Sequence, residues 1–480
     1  MPGVSAGFGE FNLPFTKSRQ THAVVIRSDL PDTADQVTGA DERLALWLVR
    51  HCEKKLERPL VPAGDVLMAG RQRLDQVDAM RPIKQAGVVS THTIIAFTPW
   101  TATVYSNAAL LLLHVSRDAF FFISACMLTY AYYDLKRSQL RRFYWRRFVS
   151  VGIPYLCWNA IYFLWFLYAL RQTSYANPLR AAQSFGRQLE VGYDQLYFLI
   201  VIMEFYLLFP LVLILLKKTK GHHGLVLAAA LVVQVAVSIG MHWQLFPAIV
   251  VRGQYAQENL MNYVLYLIGG AIVACHMTKV HDWVVRNVVL VVYFTVVGLV
   301  FAEGVYFMAR AGITTELGSG SDPFQPSVIP FNVGILACVY LVGMWLVRPE
   351  RSWRIRAAAR VGSDDSYGIY LAQMIFITAL ASFFGWNTFA VRAPFWVWLP
   401  LTVAIAYLGS VLLTALLART PLAVPLTGRK QAPWHTLLPR LAPPAVPVMA
   451  GSGPARPMTA AVAATGVHSS TDPSGEDGAG

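Results

Sequence analysis

Runs of about 20 predominantly apolar residues recur through the middle of the chain, separated by short polar connections. At 1.5 Å per helical residue, such a run crosses the roughly 30 Å hydrocarbon core of a bilayer. Ten spans are predicted, near 83–105, 109–133, 148–170, 195–216, 224–244, 258–277, 283–309, 329–347, 366–386 and 395–418. The pattern predicts an all-α integral membrane protein with about ten transmembrane helices in a domain covering 81–420. Residues 1–80 are polar, with Gly, Pro and both signs of charge, and read as a partly disordered cytoplasmic extension. Within them Leu44, Trp47, Leu48 and Cys52 fall at helical spacing, as in an amphipathic helix, with or without contact to a membrane surface. Residues 421–480 are rich in Pro, Ala, Gly and Ser, with too little apolar surface to offset the entropy of ordering, and read as a disordered cytoplasmic tail.

Composition agrees. Of 480 residues 55% are hydrophobic and only 14% charged, too few to cover a soluble fold. The formal net charge of +13 invites a nucleic-acid reading. The basic residues, however, gather in alternate connections: Lys136, Arg137, Arg141, Arg142, Arg146 and Arg147, then Lys217, Lys218 and Lys220, then Lys279 and Arg286, then Arg348 to Arg360. Those are inside-facing topology charges, which places both termini in the cytoplasm and leaves no nucleic-acid surface. Residues 1–27 lack an apolar h-region, so no cleavable signal peptide is expected. The five cysteines form no CxxC pair, and no zinc cage or disulfide framework is expected. HExxH, GxSxG and phosphate-loop signatures are absent from the sequence.

Ionisable groups inside a span are costly and are functional candidates by default. His92 lies about ten residues into the first span, roughly 15 Å from its inner end. Arg81 precedes it by eleven positions, close to three helical turns, so both side chains lie on one face. A cation at the mouth would hold a phosphate while an imidazole deeper in the bundle moves a proton. Asp118 in the second span would either orient His92 or pair with adjacent Arg117. Glu204 and Glu303 are also embedded.

Several stretches, in order, resemble the membrane acyltransferase-3 family. They are DAMRPIKQAGVVSTH (78–92), DAFFFISA (118–125), FYWRRFVSVGIPYLCWNAIY (143–162), YDQLYFLIVIMEFYLLFP (193–210), YVLYLIGG (263–270) and SYGIYLAQ (366–373). The resemblance implies transfer of an acyl group, usually acetyl, from acyl-CoA as donor substrate to a hydroxyl of a carbohydrate or lipid-linked glycan, in a bacterial plasma membrane and with no bound cofactor. It implies His92 as base or acyl relay with Arg81 as companion and Asp118 in support. Arg146 and Arg147 would meet coenzyme A phosphates, with Ser124 as a further donor contact. Asn159, Glu204 and Tyr367 would serve the acceptor or the oxyanion. Gln195 and Gln373 stand where the family often has His, and Ala125 where it has Gly. A glycan or glycolipid carrier, or a non-catalytic scaffold of a surface-polymer assembly system, are the rival readings.

Overall fold

The computed structural model describes residues 74–169, 177–246, 257–313 and 324–434. By internal contacts the chain divides into two units, Met1–Asp65 and Val66–Gly480, and every described residue belongs to the second. The amphipathic segment around Trp47 and the tail beyond 434 lie outside the described residues.

The described chain is helical, without strands. Helix α1 covers Met80–Thr101. The next span, Val104–Tyr132, is two segments, α2 (Val104–Leu113) and α3 (Val115–Tyr132). Then come α4 (Leu140–Arg147), α5 (Ile153–Ala169), α6 (Pro178–Val191), α7 (Tyr197–Lys218) and α8 (His223–His242). Helices α9 (Val264–Cys275) and α10 (Met277–Arg286) follow, then α11 (Val288–Arg310), α12 (Ile329–Val347), α13 (Trp353–Phe383) and α14 (Phe395–Leu417).

Among the described residues eight helices are long and apolar enough to cross a membrane. A ninth span results if Leu260–Cys275 and Met277–Arg286, bent by 99° at His276, count as one. The remaining predicted span is α1. Its 22 residues are long enough, but it does not qualify by composition, because its polar side chains turn inward. Lys84, Gln85, Thr91 and Thr93 are all buried among neighbouring helices. The peripheral helices do the opposite: Leu207, Val232 and Val300 are each about two-thirds exposed, apolar faces that only hydrocarbon can cover. The protein is an all-α integral membrane protein.

Local chemistry sets the joints. Pro82 sits in the first turn of α1, where no backbone donor is missed. Thr103 and Ser106 form a reciprocal capping box that starts α2 two residues after α1 ends. Before α5 the backbone widens into a π turn, Phe148–Gly152, ahead of Pro154, whose missing N–H would break a regular ladder there.

The centre is aromatic. Phe198 lies 3.9 Å from the Phe120 ring and 4.2 Å from Phe121, and Phe121 stacks on Tyr263 at 4.1 Å. Helices α3 and α9 approach closely because Gly270 has no side chain: a Cβ there would strike the Phe122 carbonyl oxygen. Ordered structure also continues past the expected boundary at 421. A short helix, Ala423–Thr427, packs on the bundle with Ala423 and Thr427 buried, and Trp158 donates from its ring nitrogen to the Leu426 carbonyl at 2.9 Å. The composition of 421–434 resembles that of the tail, but Ala423 is buried against the bundle and the Leu426 carbonyl is held by Trp158.

Candidate active site

His92 is carried by α1 with its side chain 12% exposed. Its Nδ1 is buried and makes no hydrogen bond, and lies 3.9 Å from Asp194 Oδ1. Asp194 opens the 3-10 turn Asp194–Leu196 that leads into α7. Along the same face of α1, Arg81 sits at the rim, a third exposed, paired with Asp78 at 3.4 Å. Between them Gln85 is completely buried and neither of its amide atoms has a hydrogen-bond partner. The neighbouring Lys84 ammonium rests 3.5 Å over the Phe120 ring, an attraction that offsets part of the cost of burying it.

Helix α13 presents a second polar stripe at i, i+3/i+4 spacing: Ser363, Ser366, Tyr367, Tyr370 and Gln373. The Tyr370 hydroxyl donates to the Gln195 carbonyl. Tyr367 lies parallel to Tyr370, ring centres 6.4 Å apart, and its buried hydroxyl has no partner. Gln373 is fully buried with both amide atoms unpaired. Buried polar groups normally find partners, so this concentration of unsatisfied ones makes the region a candidate site.

Arg147 donates to the Tyr132 hydroxyl at 2.9 Å and lies over the Tyr132, Tyr206 and Phe143 rings at 5.1, 5.5 and 5.7 Å. Arg146 beside it is exposed, on a short helix that also exposes Arg141 and Arg142. The two arginines therefore differ: one is held inward by aromatics, the other is open to solutes.

The family model of the acyltransferase domain, acyltransferase-3, matches residues 74–417, more than half of the chain. The chain belongs to this family. The match begins beside the Asp78–Arg81 pair, closes with α14, and encloses every residue of the candidate site described above. No curated protein and no solved structure is similar enough to match. It is a membrane acyltransferase.

The acyltransferase brings some predicted residues together and separates others. His92, Arg81 and Tyr367 belong to the polar interior or its rim. Asp118 does not face His92: it lies 3.4 Å from Arg117 Nε and accepts from Asn332 at 2.7 Å. Asn159 is used structurally, its amide nitrogen donating to the Tyr155 carbonyl and its Oδ1 accepting from the Tyr193 backbone. Ser124 is half-buried on α3, and Glu204 is exposed on α7. Among the described residues no group of three or more His, Cys, Asp or Glu side chains is gathered as a metal ligand set. Asp194, Gln85 and Tyr370 were not singled out in the sequence. The one signal for Asp194 was a carboxylate immediately before an apolar run, which reads equally as a solvated helix start.

Proposed function

We propose that this acyltransferase moves an acyl group, most simply acetyl, from acyl-CoA to a hydroxyl of a carbohydrate or lipid-linked glycan in the bacterial plasma membrane, with His92 as its base. The observation that carries this reading is the buried imidazole of His92 on α1, with Gln85 on the same helix, and Gln373 and Tyr367 on α13 packed against it, all buried and unpaired. Arg81 at the start of α1 and the exposed Arg146 supply cations suited to the phosphates of coenzyme A.

In this mechanism His92 takes the acceptor O–H proton as the oxygen attacks the thioester carbonyl. The tetrahedral intermediate collapses by breaking the C–S bond, and the coenzyme A sulfur leaves with the proton returned from the imidazolium. A positioned base of this kind contributes about 10²–10⁴-fold in rate. Buried donors aimed at the developing oxyanion contribute further. The unpaired Tyr367 hydroxyl and Gln373 amide are the groups on hand for that role.

The test is binding and turnover of acetyl-CoA by the detergent-purified full chain, with a mixed envelope glycan fraction as acceptor. Wild type should bind acetyl-CoA and release free coenzyme A, and His92→Ala should bind without turnover. If neither binds acetyl-CoA, the donor assignment fails and a carrier or scaffold role replaces it.

A further inference from the structure

The turn between α6 and α7 is built with unusual care for a connection. Gly192 has φ +76°, and a Cβ there would run into the Tyr197 backbone nitrogen and the Leu196 carbonyl carbon. Two residues later Asp194 itself has φ +34°, a left-handed conformation that costs a non-glycine residue energy and persists only where surroundings impose it.

Those surroundings are visible. The Gly192 N–H donates to the Gln188 carbonyl at 2.8 Å, and the Tyr193 N–H donates to Asn159 Oδ1 at 3.0 Å. Gln188 Nε2 donates to the Asn159 carbonyl at 2.8 Å, tying α6 to α5 behind the turn. The Tyr193 ring stacks on Tyr162 at 4.5 Å with the planes 5° apart. The Tyr370 hydroxyl holds the Gln195 carbonyl from the α13 side. Three helices thus fix a strained backbone, and its result is a carboxylate delivered 3.9 Å from a buried Nδ1 that has no other partner.

We propose that Asp194 is the positioning residue of the acyl-transfer reaction: it accepts the Nδ1 proton of His92, fixing the tautomer whose Nε2 takes the acceptor proton. This rests on His92 being the base. The 3.9 Å separation is too long for a hydrogen bond and shortens when acceptor and donor fill the interior, as such contacts do on forming the reactive complex. Asp194 is also 40% exposed while His92 is 12% exposed, so the carboxylate stands on the side from which an acceptor reaches the imidazole. Asp118, for which the sequence leaves orientation of His92 and pairing with Arg117 open, is occupied by Arg117 and Asn332.

The experiment compares Asp194→Asn, Asp194→Glu and Asp194→Gly with wild type and His92→Ala, all as full chains in detergent, with acetyl-CoA and the mixed glycan fraction. Glycine accepts the left-handed backbone without strain, so Asp194→Gly keeps the turn and separates folding from chemistry. Asp194→Asn and Asp194→Gly should lose on the order of 10²-fold or more in kcat with KM for acetyl-CoA unchanged, and Asp194→Glu should recover part of it. The acidic limb of the kcat profile should move to lower pH in Asp194→Asn, because a negative charge that favours the imidazolium is gone. His114, at the α2–α3 junction with Arg117 beyond it, also faces His92 and contributes equally in both proteins. Wild-type kcat and pH profile in Asp194→Asn, beside an inactive His92→Ala, would overturn the role of Asp194 alone. Full turnover by His92→Ala would overturn the base assignment and this inference with it.

Discussion

Asn332 on α12 donates from Nδ2 to Asp118 Oδ2 on α3 at 2.7 Å, and the same nitrogen lies 3.2 Å from the Tyr266 hydroxyl on α9. With Arg117 at 3.4 Å from the other oxygen, the carboxylate is enclosed by three helices. Arg117 in turn sits over the Tyr263 and Phe324 rings at 5.0 and 4.7 Å. This is a buried ion pair whose remaining polar atoms are hydrogen-bonded, the arrangement that makes burial of charge tolerable.

Removing one partner of such a pair leaves the other charge buried. Asp118→Ala should therefore destabilise the protein by about 3–5 kcal/mol. Asn332→Leu, which removes a neutral donor, should cost about 1–3 kcal/mol. Thermal unfolding in detergent reads both. The fraction that remains folded should still bind acetyl-CoA, since Asp118 is held by Arg117 and Asn332. Loss of donor binding without loss of melting temperature would return Asp118 to the reaction centre.

A different carboxylate should govern the dependence of stability on pH. Glu258 lies in the connection before Leu260, and its carboxyl is pushed from 4.5 up to about 7, first by burial and then by the charges of Glu204 and Glu190. A group whose folded value is raised contributes its stabilisation while protonated, in full below its unfolded value, and loses it as pH rises through the folded one. The detergent-solubilised melting temperature should accordingly fall between about pH 4.5 and 7. Glu258→Gln, neutral throughout, should flatten that dependence. An equally steep fall in the variant would assign it to other groups.

How far the fold could be read beforehand depended on where each helix sends its polar residues. Helices such as α7, α8 and α11 face lipid, so their apolar runs are uninterrupted and hydropathy locates them. Helix α1 is read from the same apolar pattern, although its buried Lys84, Gln85, Thr91 and Thr93 lower the hydropathy that marks a span. That Arg81 and His92 share one face of α1 follows from the helical period. Asp194 could not follow from any period, because its approach to His92 is made by a turn, with 102 positions between the two residues. The same limit applied to Asp118, where sequence left orientation of His92 and pairing with Arg117 open and only the position of Asn332, 214 residues away, decides between them.

The unsatisfied amides of Gln85 and Gln373 allow stability and function to be set against each other. Both side chains are 0% exposed, and none of their four polar atoms makes a hydrogen bond. A buried polar group without a partner costs about 1–3 kcal/mol. If these amides served only packing, leucine, of similar size and without that penalty, would be the better residue at both positions. Gln85→Leu and Gln373→Leu should therefore raise the melting temperature, by an amount corresponding to about 1 kcal/mol each. Each should at the same time reduce turnover of acetyl-CoA by about tenfold or more, because the guest that satisfies the amide loses its partner. Higher melting temperature with lower turnover places both glutamines on the substrate path. Higher stability with unchanged turnover would make them relics of packing and move the path elsewhere in the bundle.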